Sequence, residues 1–275
     1  MTIHLRADRA VFRFSGPDAH KLLNDVVTGH MPTEPGTAAW WALLSPQGKV
    51  LAEGLAGWQE DALWVDVHQS VADDFFKRMK MYRLRANAVI DDLRETHRVG
   101  YGVEPAPQFV SHLDRLGAIE MGYRIIAPVE ATADWVGDDR DYQAARIAAG
   151  IPQLGPDFGA NEAFAHDLGM DILDGIDFEK GCYVGQEVVS RMKHRGTARR
   201  RPVVVSSTDA PAGTSVIAGG RDAGSVGRSV DGKAVAILRL DRITDPSAVT
   251  IADQPVSVTL PTWATYVFGE SSVDE

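Results

Sequence analysis

The chain has 275 residues, of which 44% are hydrophobic and 24% are charged. These fractions are typical of a globular protein, and a chain of this length buries most of its apolar surface, which excludes wholesale disorder, a fibrous repeat and a small disulfide-built domain. A single cysteine, Cys182, excludes an intramolecular disulfide and is typical of a reducing compartment. The net charge of −10 disfavours nucleic acid and anionic membranes as partners.

The N-terminus and the hydropathy pattern predict a cytoplasmic protein. Residues 1–9 mix charges from the start and lack the apolar segment of a signal peptide. No uninterrupted apolar run approaches the roughly 18 residues that a membrane-spanning helix needs. We therefore expect no membrane partner.

Helices and strands are predicted in irregular alternation up to about residue 195. A first helix opens at residues 15–18, where Ser15 is the predicted N-cap. Apolar runs at 40–44 and 50–58 flank a turn at 45–49 whose Pro and Gly predict a hairpin. The remaining predictions are a helix from Ser70, a strand alternating over 84–90, a loop-rich middle marked by Pro105, Pro107 and Gly117, and a helix at 141–149.

The last quarter of the chain is predicted to be all β. Short β-type runs after Pro202 are separated by glycines, a pattern that favours a small barrel or sandwich. The expected organisation is therefore α+β. Residues 1–196 would form the mixed part of the chain, and residues 197–275 would form its all-β part.

Residues 177–187 carry the strongest chemical signal. Gly181 and Gly185 flank Cys182 and predict a tight loop, and a helix is predicted over 186–195. Cys182 would lie just before a helix N-terminus with Lys180 two residues away, and both features favour the thiolate. The alternative, that this lone cysteine is a small buried hydrophobe, has about equal weight.

Three further features of this region allow two readings each. Glu187 either complements the helix dipole or accepts hydrogen bonds from a flat heterocycle such as a pterin. Tyr183 either stacks on such a ring or belongs to the core. The run 191–201 has six Lys or Arg and no acid, and is either a solvated helix end or an anion site that includes Arg201.

The segment Lys180-Gly181-Cys182-Tyr183-Val184-Gly185-Gln186-Glu187 resembles the K-G-C-[FY]-x-G-Q-E signature of YgfZ-type folate-binding proteins. These are relatives of the glycine-cleavage T protein that act in iron–sulfur cluster assembly and repair. The resemblance extends along nearly the whole chain, on residues 16–23, 44–51, 80–85, 146–152 and the all-β tail.

The resemblance implies a fold, a ligand and a set of site residues. The implied fold is two T-protein-like α/β subdomains over residues 1–196 and a C-terminal β-barrel domain over residues 197–275. They would form a ring around a central cavity that holds tetrahydrofolate or a derivative. Cys182 would be the reactive residue, and no metal ligands are expected. Iron–sulfur assembly proteins or client iron–sulfur enzymes would be the partners, with a connection to tRNA modification. The implied folate-binding residues are Lys180, Tyr183, Gln186, Glu187 and Arg201.

One departure from the T protein bears on activity. T proteins carry an acidic pair after the hairpin, and the matching residues here are Ala52 and Glu53. Because alternate strand residues face opposite sides, Glu53 is expected to point away from a cavity that Ala52 faces. The sequence therefore favours a non-catalytic folate-binding assembly factor. The alternatives are a folate-dependent aminomethyl or one-carbon transferase using Glu53, and an RNA-binding module using the run 191–201.

Overall fold

The computed structural model describes residues 2–196 and 198–269. Within them the chain folds into three antiparallel sheets with four α-helices. The helices are α1 (Ala19–Val26), α2 (Ala72–Arg83), α3 (Arg140–Ala148) and α4 (Gln186–Arg195). The strands before α3 are β1 (His4–Leu5), β2 (Arg9–Ser15), β3 (Ala38–Leu44), β4 (Val50–Gln59), β5 (Ala62–His68), β6 (Val89–Asp92), β7 (His97–Gly102), β8 (Val110–Leu116) and β9 (Ile119–Pro128). The strands after α4 are β10 (Arg200–Ser206), β11 (Ser215–Ala218), β12 (Arg221–Val226), β13 (Lys233–Arg239), β14 (Val249–Ile251), β15 (Gln254–Pro255) and β16 (Ser257–Thr259).

The largest apolar core lies on a five-stranded sheet of order β3-β4-β5-β2-β6. Helices α1 and α2 pack on this sheet because each has an apolar stripe, with Leu23 and Phe75 fully buried. The ring of Phe75 lies 5.3 Å from that of Phe12 and 5.4 Å from that of Trp41, centroid to centroid. These aromatic contacts fix α2 on the sheet.

A second, four-stranded sheet of order β1-β7-β9-β8 packs against the first. Val11 of the first sheet joins Val99 and Ile126 of the second in one buried cluster. The sequence predicts a loop-rich middle region here, and this prediction is wrong. Pro105 and Pro107 lie in the loop between β7 and β8, and both of these strands pair with β9, which lies between them in the sheet.

Strands β10–β16 form a near-closed barrel with its own core, in the order β15-β14-β11-β12-β13-β10-β16. The barrel docks on α3 and the segment that follows it. The indole Nε1 of Trp263 donates to the carbonyl of Ala149 at 2.7 Å, and the backbone N–H of Arg228 donates to the carbonyl of Pro156 at 2.9 Å. No helix in the described ranges is long and apolar enough to cross a membrane.

Local sequence signals placed most elements correctly. The hairpin β3–β4, helix α4 and most of the barrel strands lie where the sequence predicts them. Helix α1 begins later than predicted, because Ser15 ends β2 and Asp18 is the N-cap. The strand predicted over 84–90 does not form before Val89. Leu84 instead has a φ of +38° and is 87% exposed, because the chain reverses there after α2.

A buried ion pair joins α3 to the barrel side of the molecule. Arg146 and Asp157 are both fully buried, and their side chains meet at 2.6 Å. Arg146 also donates to the carbonyl of Ile151 at 3.0 Å and to Gln143 at 2.6 Å, while the backbone N–H of Gln153 donates to Asp157 at 2.8 Å. Burial raises the pKa of Asp157, and Arg146 opposes this rise.

We predict that Asp157→Ala destabilises the fold by about 3–5 kcal/mol, because it leaves the Arg146 guanidinium buried without a counter-charge. The measurement is the free energy of unfolding in urea. Asp74→Ala is the matched control, because it removes a partly exposed carboxylate paired with Arg78. It should cost less than about 1 kcal/mol. Equal losses in the two variants would contradict the prediction.

Candidate functional site

The Cys182 loop lies between the end of α1 and the start of α4. Cys182 is exposed, whereas the adjacent Tyr183 is only 8% exposed and belongs to the main core. The exposure of Cys182 decides against the alternative of a buried core cysteine. The Tyr183 side chain therefore anchors the loop from inside while Cys182 faces out. Burial raises the pKa of Tyr183 to about 12, so its hydroxyl stays protonated at neutral pH.

Lys180 holds the upstream side of this loop. Its Nζ donates to the carbonyls of Asn24, Val27 and Gly29 at 2.9, 2.5 and 2.6 Å. These carbonyls lie at the C-terminal end of α1 and just beyond it, where helix carbonyls lack intrahelical partners. Burial lowers the pKa of Lys180 to about 8, with Asp177 opposing, so the ammonium stays largely charged at pH 7. The sequence predicts that Lys180 assists the thiol and contacts folate, but the structure commits its ammonium group to these carbonyls.

The hairpin turn before β4 packs on the first turn of α4. A Cβ atom added to Gly48 would lie 2.8 Å from Val188, and one added to Gly185 would lie 2.8 Å from the carbonyl oxygen of Ser45. Gly185 also has a φ of +84°, which favours glycine. Gly181, in contrast, has open space around it. Two sequence motifs, the hairpin and the cysteine segment, are therefore parts of one contact.

The other predicted site residues do not converge on one cavity. Glu187 is exposed on the first turn of α4, and Gln186 is half-buried beside it. Arg201 is largely buried on β10, where it forms a bidentate pair with Asp171 at 2.7 and 3.0 Å and donates to the carbonyl of His166 at 2.6 Å. The Arg201 guanidinium is thus occupied by the protein itself. Residue 197 and the side chain of Arg195, which belong to the basic run, lie outside the description.

A separate, central cavity lies between the two sheets and α3. Its lining includes Arg9, Glu53, Asp114, Arg124 and Tyr142. The free space measures about 20 Å³, which is room for about one water molecule. The Oδ1 atom of Asp114 has no hydrogen-bond partner among the described side chains, so such a water would satisfy it.

Four buried charges form a chain across this cavity. The Asp66 carboxylate, fully buried on β5, accepts from Arg9 at 2.5 Å and from Arg124 at 2.7 Å. Arg124 also donates to Asp114 at 2.8 Å. Burial opposes ionisation of Asp66, but the two guanidinium groups hold its pKa below the usual range. These residues were not predicted, and the available sequence signal is confined to Asp66, a charged residue between apolar neighbours on β5.

Glu53 lines the central cavity, contrary to the sequence expectation. Its Oε2 accepts from the Trp40 indole at 2.9 Å, and its Oε1 accepts from the backbone N–H of Leu154 at 3.3 Å and lies 3.5 Å from Arg9. Ala52 instead faces the apolar core. The alternation along β4 holds, but the face that meets the cavity is the opposite one.

Tetrahydrofolate does not fit the central cavity in this conformation. A space of about 20 Å³ is far below the ~300–1,000 Å³ of small-molecule pockets. Both oxygens of the Glu53 carboxylate already accept protein hydrogen bonds. Nor does any group of three or more His, Cys, Asp or Glu within the described ranges have the geometry to hold a metal ion.

His112 gives the charge chain a measurable pH dependence. It is 2% exposed, and burial lowers its pKa to about 4, with Arg124 adding to this effect and Asp66 and Asp114 opposing it. Between about pH 6.5 and pH 4 the unfolded chain binds a proton at His112 that the folded chain does not. Stability is therefore lost as pH falls through this window, by about 3 kcal/mol in total.

We predict that His112→Leu removes this part of the pH dependence. The measurement is the urea unfolding free energy of wild type and variant at several pH values between 4 and 7. The difference in unfolding free energy between wild type and His112→Leu should change by about 3 kcal/mol over that range. His97→Leu is the control, since His97 is only half-buried. A pH-independent difference between wild type and His112→Leu would contradict the assignment.

Known proteins resemble both halves of this structure. The family described as "CAF17, C-terminal beta-barrel domain" matches residues 198–266. The mitochondrial iron–sulfur cluster assembly factor IBA57 of Mus musculus is 27% identical over 93% of this chain and 83% of its own length, and the human protein is 26% identical over the same shares. A mitochondrial IBA57 homolog of Pyricularia oryzae is 28% identical over 70% of this chain, which spans about half (54%) of that relative.

The fold has a solved counterpart. The crystal structure of glycine cleavage system aminomethyltransferase T from Bartonella henselae superposes with a TM-score of 0.74 at 14% identity, over 97% of this chain and 87% of that one. This likeness concerns the fold, and it confirms the predicted α+β arrangement with a C-terminal barrel. The barrel match and the nearly full-length similarity agree with the signature around Cys182. The chain is therefore similar to the IBA57 iron–sulfur cluster assembly factors along nearly its whole length and to the CAF17 barrel family at its C-terminal end, on the fold of the glycine-cleavage T protein.

Proposed function

We propose that this protein is an iron–sulfur cluster assembly factor that acts through the thiolate of Cys182. The observation that carries the proposal is the placement of the only cysteine, exposed on a loop anchored from both sides. The similarity to the mouse and human proteins named as iron–sulfur cluster assembly factors covers 93% of this chain, so the Cys182 loop lies in the aligned region. A thiolate is the side-chain ligand that iron–sulfur clusters use.

Ligand number defines the role of this cysteine. A protein-bound cluster takes about four ligands, whereas this chain has one cysteine, and its described residues include no metal-binding group. The chain therefore supplies one ligand, and a partner protein supplies the others. The cluster is cargo that passes between proteins, and Cys182 holds it during the transfer.

The anchors of the loop suit this role. Lys180 ties the backbone before Cys182 to the end of α1, Tyr183 buries its ring directly after it, and Gly185 packs on the hairpin turn. A thiolate held in this way loses little conformational freedom on binding iron, which favours complex formation. The site thus needs no movement of the fold to present its ligand.

We predict that Cys182→Ser abolishes function without loss of stability. In cells that lack the gene, the wild-type chain should restore the activity of an iron–sulfur dehydratase, and Cys182→Ser should not. Ser190→Ala on α4 is the control and should behave as wild type. Native protein should react with an aromatic disulfide reagent at Cys182 without denaturant, because the residue is exposed. Full rescue by Cys182→Ser, or labelling only after unfolding, would contradict the proposal.

Folate binding stays a prediction of the family resemblance, supported by the shared fold. Glu187 is exposed and does not line the central cavity. A folate that contacts Glu187 therefore lies at the surface of α4, or the elements around the central cavity move apart to admit it. The transferase alternative has one observation in its favour, the orientation of Glu53 into the cavity. Against it, both carboxylate oxygens of Glu53 are engaged by the protein. Glycine-cleavage turnover that Glu53→Gln abolishes would establish this alternative.

The second prediction here concerns Glu187. Glu187→Ala should weaken tetrahydrofolate binding by about 1–3 kcal/mol, since a charge-assisted hydrogen bond to the pterin would be lost. The measurement is calorimetric titration, and Glu179→Ala is the control because Glu179 is also exposed on the same segment. Unchanged affinity would remove Glu187 from the site. If wild type, Glu187→Ala and Glu179→Ala all give no binding heat, tetrahydrofolate is not a ligand of this protein. That result would agree with the small volume of the central cavity.

A further inference from the structure

A surface groove lies between α1 and the turn that follows α2. We call it the α1–α2 groove; its lining includes Leu22, Asp25, Val26, Tyr82, Leu84 and Arg85, and its volume is about 410 Å³. It is separate from the central cavity and from the Cys182 loop, and the proposed function does not use it.

The rim of this groove exposes apolar side chains. Leu84, which lines the groove, is 87% exposed, and Met81, on the last turn of α2 next to the lining residue Tyr82, is 54% exposed. The backbone of Leu84 has a φ of +38°, a conformation that costs free energy for a residue with a side chain. The reversal after α2 thus holds a leucine outward, in a backbone conformation that costs free energy.

The same rim carries unneutralised positive charge. Lys77, Lys80, Arg83 and Arg85 are exposed, and none of them forms an ion pair with another described residue. Lys80 and Arg83 lie in the last turn of α2, where they interact favourably with the negative end of the helix dipole. Arg85 lies beyond the helix, so the dipole does not account for its charge. Two carboxylates also line the groove, but Asp25 pairs with Lys21 and Asp18 accepts from the backbone N–H of Asn87. The charges left without a partner here are therefore basic, on a protein whose net charge is −10, and they attract an acidic surface that the rest of the molecule repels.

Helix α1 connects this groove to the Cys182 loop. Leu22, Asp25 and Val26 of α1 line the groove, while the carbonyls of Asn24, Val27 and Gly29 bind the Lys180 ammonium two residues before Cys182. The Asp25 carboxylate also acts electrostatically on Lys180. A molecule seated in the groove therefore lies next to the helix that supports the cysteine.

We propose that the α1–α2 groove binds an acidic segment of a partner protein, which inserts an apolar side chain beside Leu84 and thereby places the partner next to Cys182. This inference rests on the proposed function for the identity of the partner as the protein that completes the cluster ligands. The binding chemistry itself, an acidic segment with an apolar anchor, rests only on the groove.

The test uses a short fluorescent peptide of Asp and Glu around two leucines, with fluorescence anisotropy as the readout. The full chain should bind it, and binding should weaken at high salt. A double charge reversal, Arg83→Glu with Arg85→Glu, should weaken binding about tenfold or more, and Leu84→Ser about fivefold. Matched controls are Lys233→Glu and Val103→Ser, an exposed basic and an exposed apolar residue elsewhere. Both should bind as wild type.

A second measurement locates the peptide. Since Cys182 is the only cysteine, a nitroxide attached there should broaden the NMR signals of the bound peptide, and the Leu84→Ser variant should reduce the broadening. Binding by Cys182→Ser should be unchanged, so failure of the cluster role and failure of the groove are distinguishable.

Three results would overturn the inference. One is equal binding of a control peptide in which Lys replaces the acids. Another is binding that Lys233→Glu weakens as much as the Arg83 and Arg85 reversal does. The third is displacement of the peptide by a single-stranded RNA whose own binding requires Arg83 and Arg85. That result would make the groove a nucleic-acid site.

Discussion

The rest of the structure depends on one interaction, the Asp66 carboxylate held between the guanidinium groups of Arg9 and Arg124. Asp66 and Arg9 belong to the five-stranded sheet and Arg124 to the four-stranded sheet, so this pair of contacts joins the two sheets at their centre. Buried ions lose their hydration, and the loss is compensated only when every charge is paired at short distance. The paired charges therefore hold the two sheets close together here. The free space beside them is about 20 Å³.

This constraint separates the two candidate sites by chemistry. The central cavity is enclosed by charges that already satisfy one another, and Glu53 belongs to that set through Trp40 and Leu154. The Cys182 loop has the opposite character, because a firm backbone presents a single free thiol to solvent. The T-protein fold thus supports a surface thiol while its centre serves to hold the sheets together. Fold likeness alone does not carry the activity from one such protein to another.

Helix α1 is the structural element that the surface features share. On one side it lines the groove beside Leu84, and at its C-terminal end it binds Lys180. The hairpin turn supports α4 from the other direction through Gly48 and Val188. Motifs that lie more than a hundred residues apart in sequence are therefore neighbours on one face, and the cysteine is presented by their contacts rather than by its own segment alone.

The sequence by itself determined the features that depend on local chemistry. The hairpin turn, helix α4 and most of the barrel strands follow from turn residues and periodicity. The sequence left the exposure of Cys182 open, and the structure places this residue on the surface. Only the tertiary structure decided which face of β4 meets the cavity, because the second sheet, and not the alternation along the strand, sets that side for Glu53. The same holds for Lys180 and Arg201, whose partners are backbone carbonyls and Asp171 from distant segments. Long-range pairing of buried charges leaves no periodic signal in a sequence, since each partner is a single residue whose position is fixed by packing.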